Sequence, residues 1–146
     1  MLLADVNVFL YAHRPESARH PDYLTWLQQA LLGPEPFGVS EAVLASFVRI
    51  ATHHRVYVEP SPSDIALAFC DAVRSASATV VVQPGEDHWG LFSQLVLDAG
   101  ARGNLVPDAY LAALAIEQGA TFVTTDRGFA RYPGLRQAHP LEPHAG

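Results

Sequence analysis

Short apolar segments alternate with helical segments along this chain, and this alternation constrains the fold more than any other feature of the sequence. Four apolar segments have the length of β-strands, namely residues 2–4, 37–39, 79–82 and 121–125. We expect the valine-rich segment 79–82 to be buried on both faces. Between the strands, apolar residues recur at helical spacing, with Trp89 and Phe92 on the inward side of one helix and Pro107 at the start of another. The pattern predicts an α/β fold, a three-layer α/β/α sandwich around a mainly parallel sheet.

Length and composition indicate a single globular domain. The chain has 146 residues, of which 49% are apolar, so wholesale disorder is excluded. We expect a folded domain over residues 1–139 and a short, mobile, proline-containing tail over 140–146. No segment approaches the ~18 uncharged apolar residues of a membrane helix, and the first residues lack the basic region of a signal peptide. Cys70 is the only cysteine, which excludes internal disulfides and a cysteine zinc site and makes a reducing cytoplasm the default compartment.

The charged residues narrow the possible chemistry. All nine basic residues are arginine, so every mechanism that requires a lysine is excluded. The net charge of −6 argues against a protein that coats nucleic acid nonspecifically. It is compatible with nucleic acid bound at one cleft where a metal ion neutralises the acidic side chains.

Four acidic residues, Asp5, Glu41, Asp108 and Asp126, each follow a predicted strand or lie in the first turn of a predicted helix. In an open parallel sheet such positions meet outside the carboxyl ends of the strands. The helix that carries Asp108 is about 11 residues and ~16 Å long. The strand after it returns over ~16 Å, so Asp126 ends level with Asp108. We therefore expect the four carboxylates to cluster at one edge of the sheet.

Each acid also has a purely structural interpretation. Asp108 and Glu41 could simply favour a helix N-terminus, and Asp126 could belong to an ordinary turn. Asp5 is harder to explain in this way, because it follows three apolar residues and is expected to be partly buried. The coincidence of all four at one edge favours a common site.

Clustered carboxylates without a lysine predict a divalent cation. Mg²⁺ and Mn²⁺ prefer oxygen ligands and keep several waters. Such an ion can orient a phosphodiester, lower the pKa of a bound water and stabilise the leaving oxygen. A carboxylate that is not used in coordination can accept a proton from water. The sequence thus predicts a metal-dependent enzyme that acts on phosphate esters.

Three α/β architectures use acids with Mg²⁺, and two of them do not fit. Aspartyl phosphatases of the haloacid dehalogenase type need a second aspartate two residues after the first, where this chain has Asn7, and they use a lysine. Response-regulator receiver domains need paired acids and a late lysine, which are absent as a set. The third architecture is a nuclease that requires only acids.

Four short motifs carry a resemblance that spans nearly the whole chain. They are Ala4-Asp5-Val6-Asn7-Val8, Ser40-Glu41, Pro107-Asp108-Ala109 and Thr124-Thr125-Asp126-Arg127-Gly128-Phe129. In these motifs the chain resembles the PIN-domain ribonucleases, and among them the VapC toxins of bacterial toxin–antitoxin pairs. Ser40-Glu41 is a weak motif by itself, whereas the other three in this order and spacing are fairly specific.

The resemblance implies a PIN-like endoribonuclease toxin that uses Mg²⁺ or Mn²⁺ at acids matching Asp5, Glu41, Asp108 and Asp126. Asp5 and Asp108 rank first as metal ligands, and Glu41 and Asp126 shape the site or bind a second ion. It also implies a homodimer, a cognate VapB-like antitoxin, and tRNA or another structured RNA as substrate.

Further residues follow from the predicted chemistry. Asn7 and Thr125 are expected to donate hydrogen bonds to the metal-binding carboxylates. Arg14 and Arg127 follow the acid-bearing segments and are candidates for RNA phosphate contacts. An arginine or lysine of the antitoxin could enter the acidic pocket and displace the metal. The alternative function is a catalytically weak PIN-like module that binds RNA or its antitoxin without cutting.

Overall fold

Five parallel strands form one sheet in the computed structural model, which describes residues 1–143. The strands are β1 (Leu2–Ala4), β2 (Phe37–Ser40), β3 (Thr79–Val82), β4 (Thr121–Val123) and β5 (Gln137–Ala138). The helices are α1 (Val6–His13), α2 (His20–Leu32), α3 (Glu41–Ala51), α4 (Ser63–Ser75), α5 (His88–Ala99) and α6 (Leu105–Glu117), and a 3₁₀ helix spans Arg127–Arg131.

The strand order β3-β2-β1-β4-β5 places β1 at the centre of the sheet. β1 pairs in parallel with β2 on one side and with β4 on the other, and Ala4 lies opposite Val123 in that second pair. The carboxyl ends of β1, β2 and β4 therefore meet at one edge. The order is typical of an open α/β sheet whose functional site lies at this edge.

Two cores, one on each face of the sheet, give the molecule its three layers. Because successive strand residues point to opposite faces, Leu3 and Phe122 enter one core while Ala4 and Val123 enter the other. Helices α1 to α4 cover the face with Ala4, and α5 and α6 cover the face with Leu3. The predicted α/β/α sandwich is confirmed.

Several local predictions were wrong. β3 is an edge strand, so Val80 and Val81 are 46% and 40% exposed instead of buried on both faces. Trp89 was expected to face inward, but its side chain is 70% exposed. α6 begins at Leu105, two residues before Pro107. The two-residue strand β5 was missed because it has no apolar pattern.

No helix within residues 1–143 is long and apolar enough to cross a membrane. In the tail region, Leu141 packs against the core beneath α1 to α4. Residues 144–146 of the predicted mobile tail lie outside the described residues, and the boundary at 139 stays a prediction.

Candidate active site

Asp5 is fixed where the central strand β1 ends. Its carboxylate caps helix α1, with Oδ1 accepting a hydrogen bond from the backbone N–H of Val6 at 2.8 Å. Oδ2 accepts a second hydrogen bond from the hydroxyl of Thr124 at 2.8 Å. This contact follows from the strand register, because the pairing of Ala4 with Val123 puts Asp5 beside Thr124. Only 6% of Asp5 is exposed, so its position and orientation are strongly determined.

The same threonine connects Asp5 to Asp126. The Thr124 hydroxyl accepts a hydrogen bond from the backbone N–H of Asp126 at 3.0 Å while it donates to Asp5. The Asp126 side chain in turn caps the 3₁₀ helix by accepting from the N–H of Gly128 at 2.7 Å. A Cβ at Gly128 would lie 2.9 Å from both Asp126 Oδ1 and Arg131 Nη2. Glycine at this position therefore leaves room for the carboxylate and for the Arg131 guanidinium.

Asp108 lies half-buried in the first turn of α6, and its side chain makes no hydrogen bond within residues 1–143. Burial, together with the charges of Asp5 and Asp126, raises the pKa of Asp108 to about 6, and the charge of Arg131 partly opposes this rise. Burial and the charge of Asp126 also raise the pKa of Asp5, against the hydrogen bonds from Thr124 and Val6. The three carboxylates thus lie close enough to oppose one another's ionisation.

Asp5 and Asp108 open into one cavity of about 470 Å³. Helix α3 forms the facing wall with Ala42, Ser46 and Arg49. Phe92, Asn104 and Tyr110 are among the other lining residues. Asp126 lines a neighbouring cavity of about 370 Å³ with Thr125 and Arg127. Asp126 therefore stands between the two cavities, next to the acids of the larger one.

The comparisons with known proteins agree with this geometry. The family model described as PIN domain matches residues 2–135. The chain belongs to the PIN-domain family. It is 45% identical over 142 residues to Ribonuclease VapC43 of Mycobacterium tuberculosis, with 97% of each chain covered. It is 39% identical over 140 residues to Ribonuclease VapC25 of the same species, covering 96% of this chain and 99% of that one.

Solved structures show the same fold at low sequence identity. VapBC2 of Rickettsia felis bound to a promoter DNA fragment matches with a TM-score of 0.70 and 19% identity, covering 94% of this chain and 97% of that one. VapC20 of Mycobacterium tuberculosis, described as a sarcin-ricin loop cleaving toxin, matches with a TM-score of 0.67 and 16% identity, covering 93% and 99%. The resemblance to the PIN-domain ribonucleases is confirmed, and the chain belongs to the VapC group of that family.

In this PIN domain Glu41 does not join the other acids. Its side chain is exposed and lies 3.6 Å from Nη2 of Arg74 at the end of α4. On α3 the cavity is lined by Ala42, Val43, Ser46, Arg49 and Ile50. Glu41 lies just outside this stripe, since it is rotated by about 100° from Ala42 and farther from Val43 and Ile50. Glu41 is thus not among the residues that line the cavity with Asp5 and Asp108, and its role as a metal ligand stays a prediction.

Two predicted donors do not contact the acids. No hydrogen bond from the side chain of Asn7 or Thr125 reaches a carboxylate within residues 1–143. The donor to Asp5 is Thr124, one residue before the predicted one. Thr125 lines the neighbouring cavity together with Thr124 and Asp126. Roles for Asn7 and Thr125 at a metal stay predictions.

The predicted arginines differ in how accessible they are. Arg14 is 9% exposed, donates to the Ser61 hydroxyl at 2.9 Å and to the Glu59 carbonyl at 2.8 Å, and stacks on Tyr57 at 4.0 Å. Its guanidinium is already used inside the fold, which argues against an RNA contact, and that contact stays a prediction. Arg127 has a side chain that is 94% exposed, and it stays a candidate.

Three residues lie at the site beyond those ranked first from the sequence, namely Ser46, Arg49 and Arg131. Arg49 is exposed and lines the acid cavity, and Arg131 is close enough to Asp108 to oppose the rise of its pKa. Extending the helical period from the start of α3 would have identified Ser46 and Arg49. Arg131 has no comparable signal, since it reaches the site through the 3₁₀ turn, where its Nε donates to the Gly128 carbonyl at 2.7 Å.

The donor chemistry fits Mg²⁺ or Mn²⁺. Within residues 1–143 no group of three or more His, Cys, Asp or Glu side chains is arranged to hold a metal ion. Mg²⁺ does not need such a group, because it is commonly held by one or two carboxylates together with waters and substrate phosphates. Asp5 and Asp108 supply two hard oxygen donors in one cavity. Burial and the charges of Asp5 and Asp126 together raise the pKa of Asp108, and a bound cation would relieve the repulsion between the carboxylates.

Proposed function

We propose that this PIN domain hydrolyses RNA phosphodiester bonds with Mg²⁺ or Mn²⁺ held at Asp5 and Asp108. The observation that carries the proposal is the presence of both carboxylates in one open cavity beside Arg49, with the pKa of Asp108 raised to about 6. A divalent ion bound there would supply an activated water and stabilise negative charge on the scissile phosphate.

The protein's own groups divide the remaining work. Asp5 is locked by hydrogen bonds from Val6 and Thr124, which suits a fixed ligand. Asp108 makes no hydrogen bond within the described residues and carries a raised pKa, so its carboxylate is available to bind metal or to accept a proton from water. Asp126 adds negative charge at the edge of the cavity and supports the same site electrostatically. Glu41 has only the outer position beside Arg74, and we give it no direct role.

Two arginines would contact the substrate. Arg49 lines the cavity opposite the acids, and Arg131 lies near Asp108 with its terminal nitrogens outside any salt bridge among residues 1–143. Guanidinium groups pair with phosphate oxygens in a bidentate manner. They would position the RNA backbone over the carboxylates and offset its charge.

A substrate and partners can be proposed from the family and from similar structures. We propose tRNA or another structured RNA as the substrate, and a VapB-like antitoxin as the cognate inhibitor. Similar structures include VapBC complexes, and one related toxin is described as cleaving the sarcin-ricin loop. A cationic side chain of the antitoxin entering the acid cavity would replace the metal charge. We also propose a homodimer that acts in the cytoplasm.

Mapping RNA 5′ ends after induction tests the activity. The unmodified chain is compared with Asp108→Ala and with Asp71→Ala, in which an exposed carboxylate on α4 is removed. We expect new 5′ ends and growth arrest with the unmodified chain and with Asp71→Ala, and neither with Asp108→Ala. Purified protein should cut the identified RNA with Mg²⁺ or Mn²⁺ and stop cutting in EDTA.

Two outcomes would contradict this reading. Cleavage that persists in Asp108→Ala, or that is indifferent to EDTA, removes the metal-nuclease mechanism. Growth arrest without any RNA cleavage by the unmodified chain favours the alternative, a PIN-like module that acts by binding RNA.

A further inference from the structure

A strip of three aromatic side chains leads from the surface into the acid cavity. Trp89 is 70% exposed, and its ring centroid lies 5.4 Å from that of Phe92. Phe92 lies 5.8 Å from Tyr110 in an edge-to-face arrangement. Phe92 and Tyr110 line the same cavity as Asp5 and Asp108. We call Trp89, Phe92 and Tyr110 the aromatic strip.

The aromatic strip is supported from behind. His88 is 3% exposed, and its Nε2 donates to the carbonyl oxygen of Tyr110 at 3.0 Å. Its ring packs against Tyr110 at 4.3 Å and lies parallel to Phe92 at 6.3 Å. The carboxylate of Glu117 accepts from the N–H of Gly85 at 2.7 Å and from that of Asp87 at 3.1 Å, which ties the start of α5 to the end of α6. The rings are thus held in place rather than left on a mobile loop.

The outer side of the aromatic strip is open and uncharged. Trp89 is 70% exposed, and a Cβ at Gly90 would meet no heavy atom within 4 Å, so this part of α5 faces solvent. No acidic residue occurs between His88 and Leu97, so this part of α5 offers neutral, flat surfaces. The charged groups lie farther in, where Arg49 and the two aspartates line the cavity.

We infer that the aromatic strip binds nucleobases of single-stranded RNA next to the phosphate that is cut. The inference rests on the proposed function and names how the substrate is held. Bases have flat apolar faces that stack on aromatic side chains without requiring a particular sequence. The sugar–phosphate backbone of the same strand would then run past Arg49 toward Asp108. A cationic segment of an antitoxin fits the strip less well, because α5 presents no acid there.

Binding to two probes tests the inference. One probe is a short single-stranded RNA of mixed sequence, and the other has the same sugar–phosphate backbone without bases. All proteins in this assay carry Asp108→Asn so that bound RNA is not cut, and Mg²⁺ is present. Binding is followed by fluorescence anisotropy, and thermal unfolding checks that each variant is folded.

The ratio of the two dissociation constants is the readout. Base stacking on an aromatic ring corresponds to about 5- to 150-fold in affinity for each stacked base. Phe92→Leu and Trp89→Leu should each lower the preference for the probe with bases by a factor in that range, and affinity for the base-free probe should stay unchanged. Phe92→Tyr should retain the preference. The control is Leu97→Ala, which changes another exposed apolar residue of α5 that does not line the cavity and should leave the ratio unchanged.

The results separate this inference from the proposed activity. If the unmodified chain cuts RNA but Phe92→Leu and Trp89→Leu keep the full preference, the aromatic strip is not a base-binding site. If these variants bind RNA normally but lose affinity for the antitoxin, the strip is an antitoxin contact and the inference is overturned. If the preference depends on the strip although the unmodified chain cuts no RNA, the inference holds and the proposed activity fails.

Discussion

Replacing Asp108 with asparagine should stabilise the metal-free protein at neutral pH. The pKa of Asp108 is raised from 3.8 to about 6 in the folded state, so the folded protein binds this proton more tightly than the unfolded chain does. Below about pH 4 Asp108 is protonated in both states and does not lower the free energy of unfolding. As the pH rises from about 4 through about 6, its ionisation lowers that free energy. At about 1.4 kcal/mol per pKa unit, the loss in the free energy of unfolding is at most about 3 kcal/mol. Because Asp108 is only half-buried, screening by water reduces this to about 1–1.5 kcal/mol.

Asparagine removes that penalty without breaking a hydrogen bond within the described residues, since Asp108 makes none there. Thermal unfolding in EDTA should show Asp108→Asn melting about 2–5 °C above the unmodified chain near pH 8. The melting temperatures of the two proteins should converge near pH 4. The control is Asp71→Asn, at an exposed position, which should melt like the unmodified chain at every pH.

Adding Mg²⁺ provides the second part of the test. The ion should raise the melting temperature of the unmodified chain and have much less effect on Asp108→Asn, because binding to the folded state alone is stabilising. An Asp108→Asn protein that is no more stable than the unmodified chain near pH 8 would refute the reasoning about crowded carboxylates. So would an advantage of equal size near pH 4, since the charge is then absent from both proteins.

Two further predictions concern residues whose roles the structure changed. Glu41→Gln should leave the RNA cleavage rate within about threefold of that of the unmodified chain. The reason is that Glu41 contacts Arg74 at the surface, where an exposed ion pair contributes little. If the same assay shows Glu41→Gln losing as much activity as Asp108→Ala, Glu41 belongs to the active site. Arg14→Ala should lower the free energy of unfolding by about 2–4 kcal/mol, because it leaves buried Ser61 without its charged donor. Denaturant unfolding measures that loss, and an Arg14→Ala protein of normal stability but weakened RNA affinity would show that Arg14 contacts RNA after all.

The layers of the fold could be predicted because they depend on local periodicity. Apolar segments of strand length and helical apolar spacing are properties of neighbouring residues, so β1, β2 and the helices between the strands follow from the sequence. The place of each strand in the sheet is not local. β3 reads as a buried parallel strand, yet the order β3-β2-β1-β4-β5 leaves it at an edge with Val80 and Val81 partly exposed. The outward position of Trp89 likewise depends on how α5 packs on α6, which no short pattern encodes.

At the site, too, the position of a residue in the fold was easier to predict than the direction of its side chain. Topology fixes how far along the fold a residue lies, and for this reason Asp5, Asp108 and Asp126 meet at the carboxyl ends of β1 and β4 as their spacing predicted. The direction of a side chain changes from one residue to the next. The pairing of Ala4 with Val123 brings the next residue, Thr124, beside Asp5, and the hydrogen bond to Asp5 accordingly comes from Thr124 and not from Thr125.

One step along a helix rotates a side chain by about 100°, and Glu41 accordingly misses the cavity that Ala42, Ser46 and Arg49 line. An acid at the start of a helix is thus a weaker indication of a site than an acid that directly ends a central strand. In the first case the rotation must also be known, whereas in the second the register with the neighbouring strand already determines the contact. This difference explains why Asp5, between two paired strands, is the most firmly placed of the four acids and Glu41 the least.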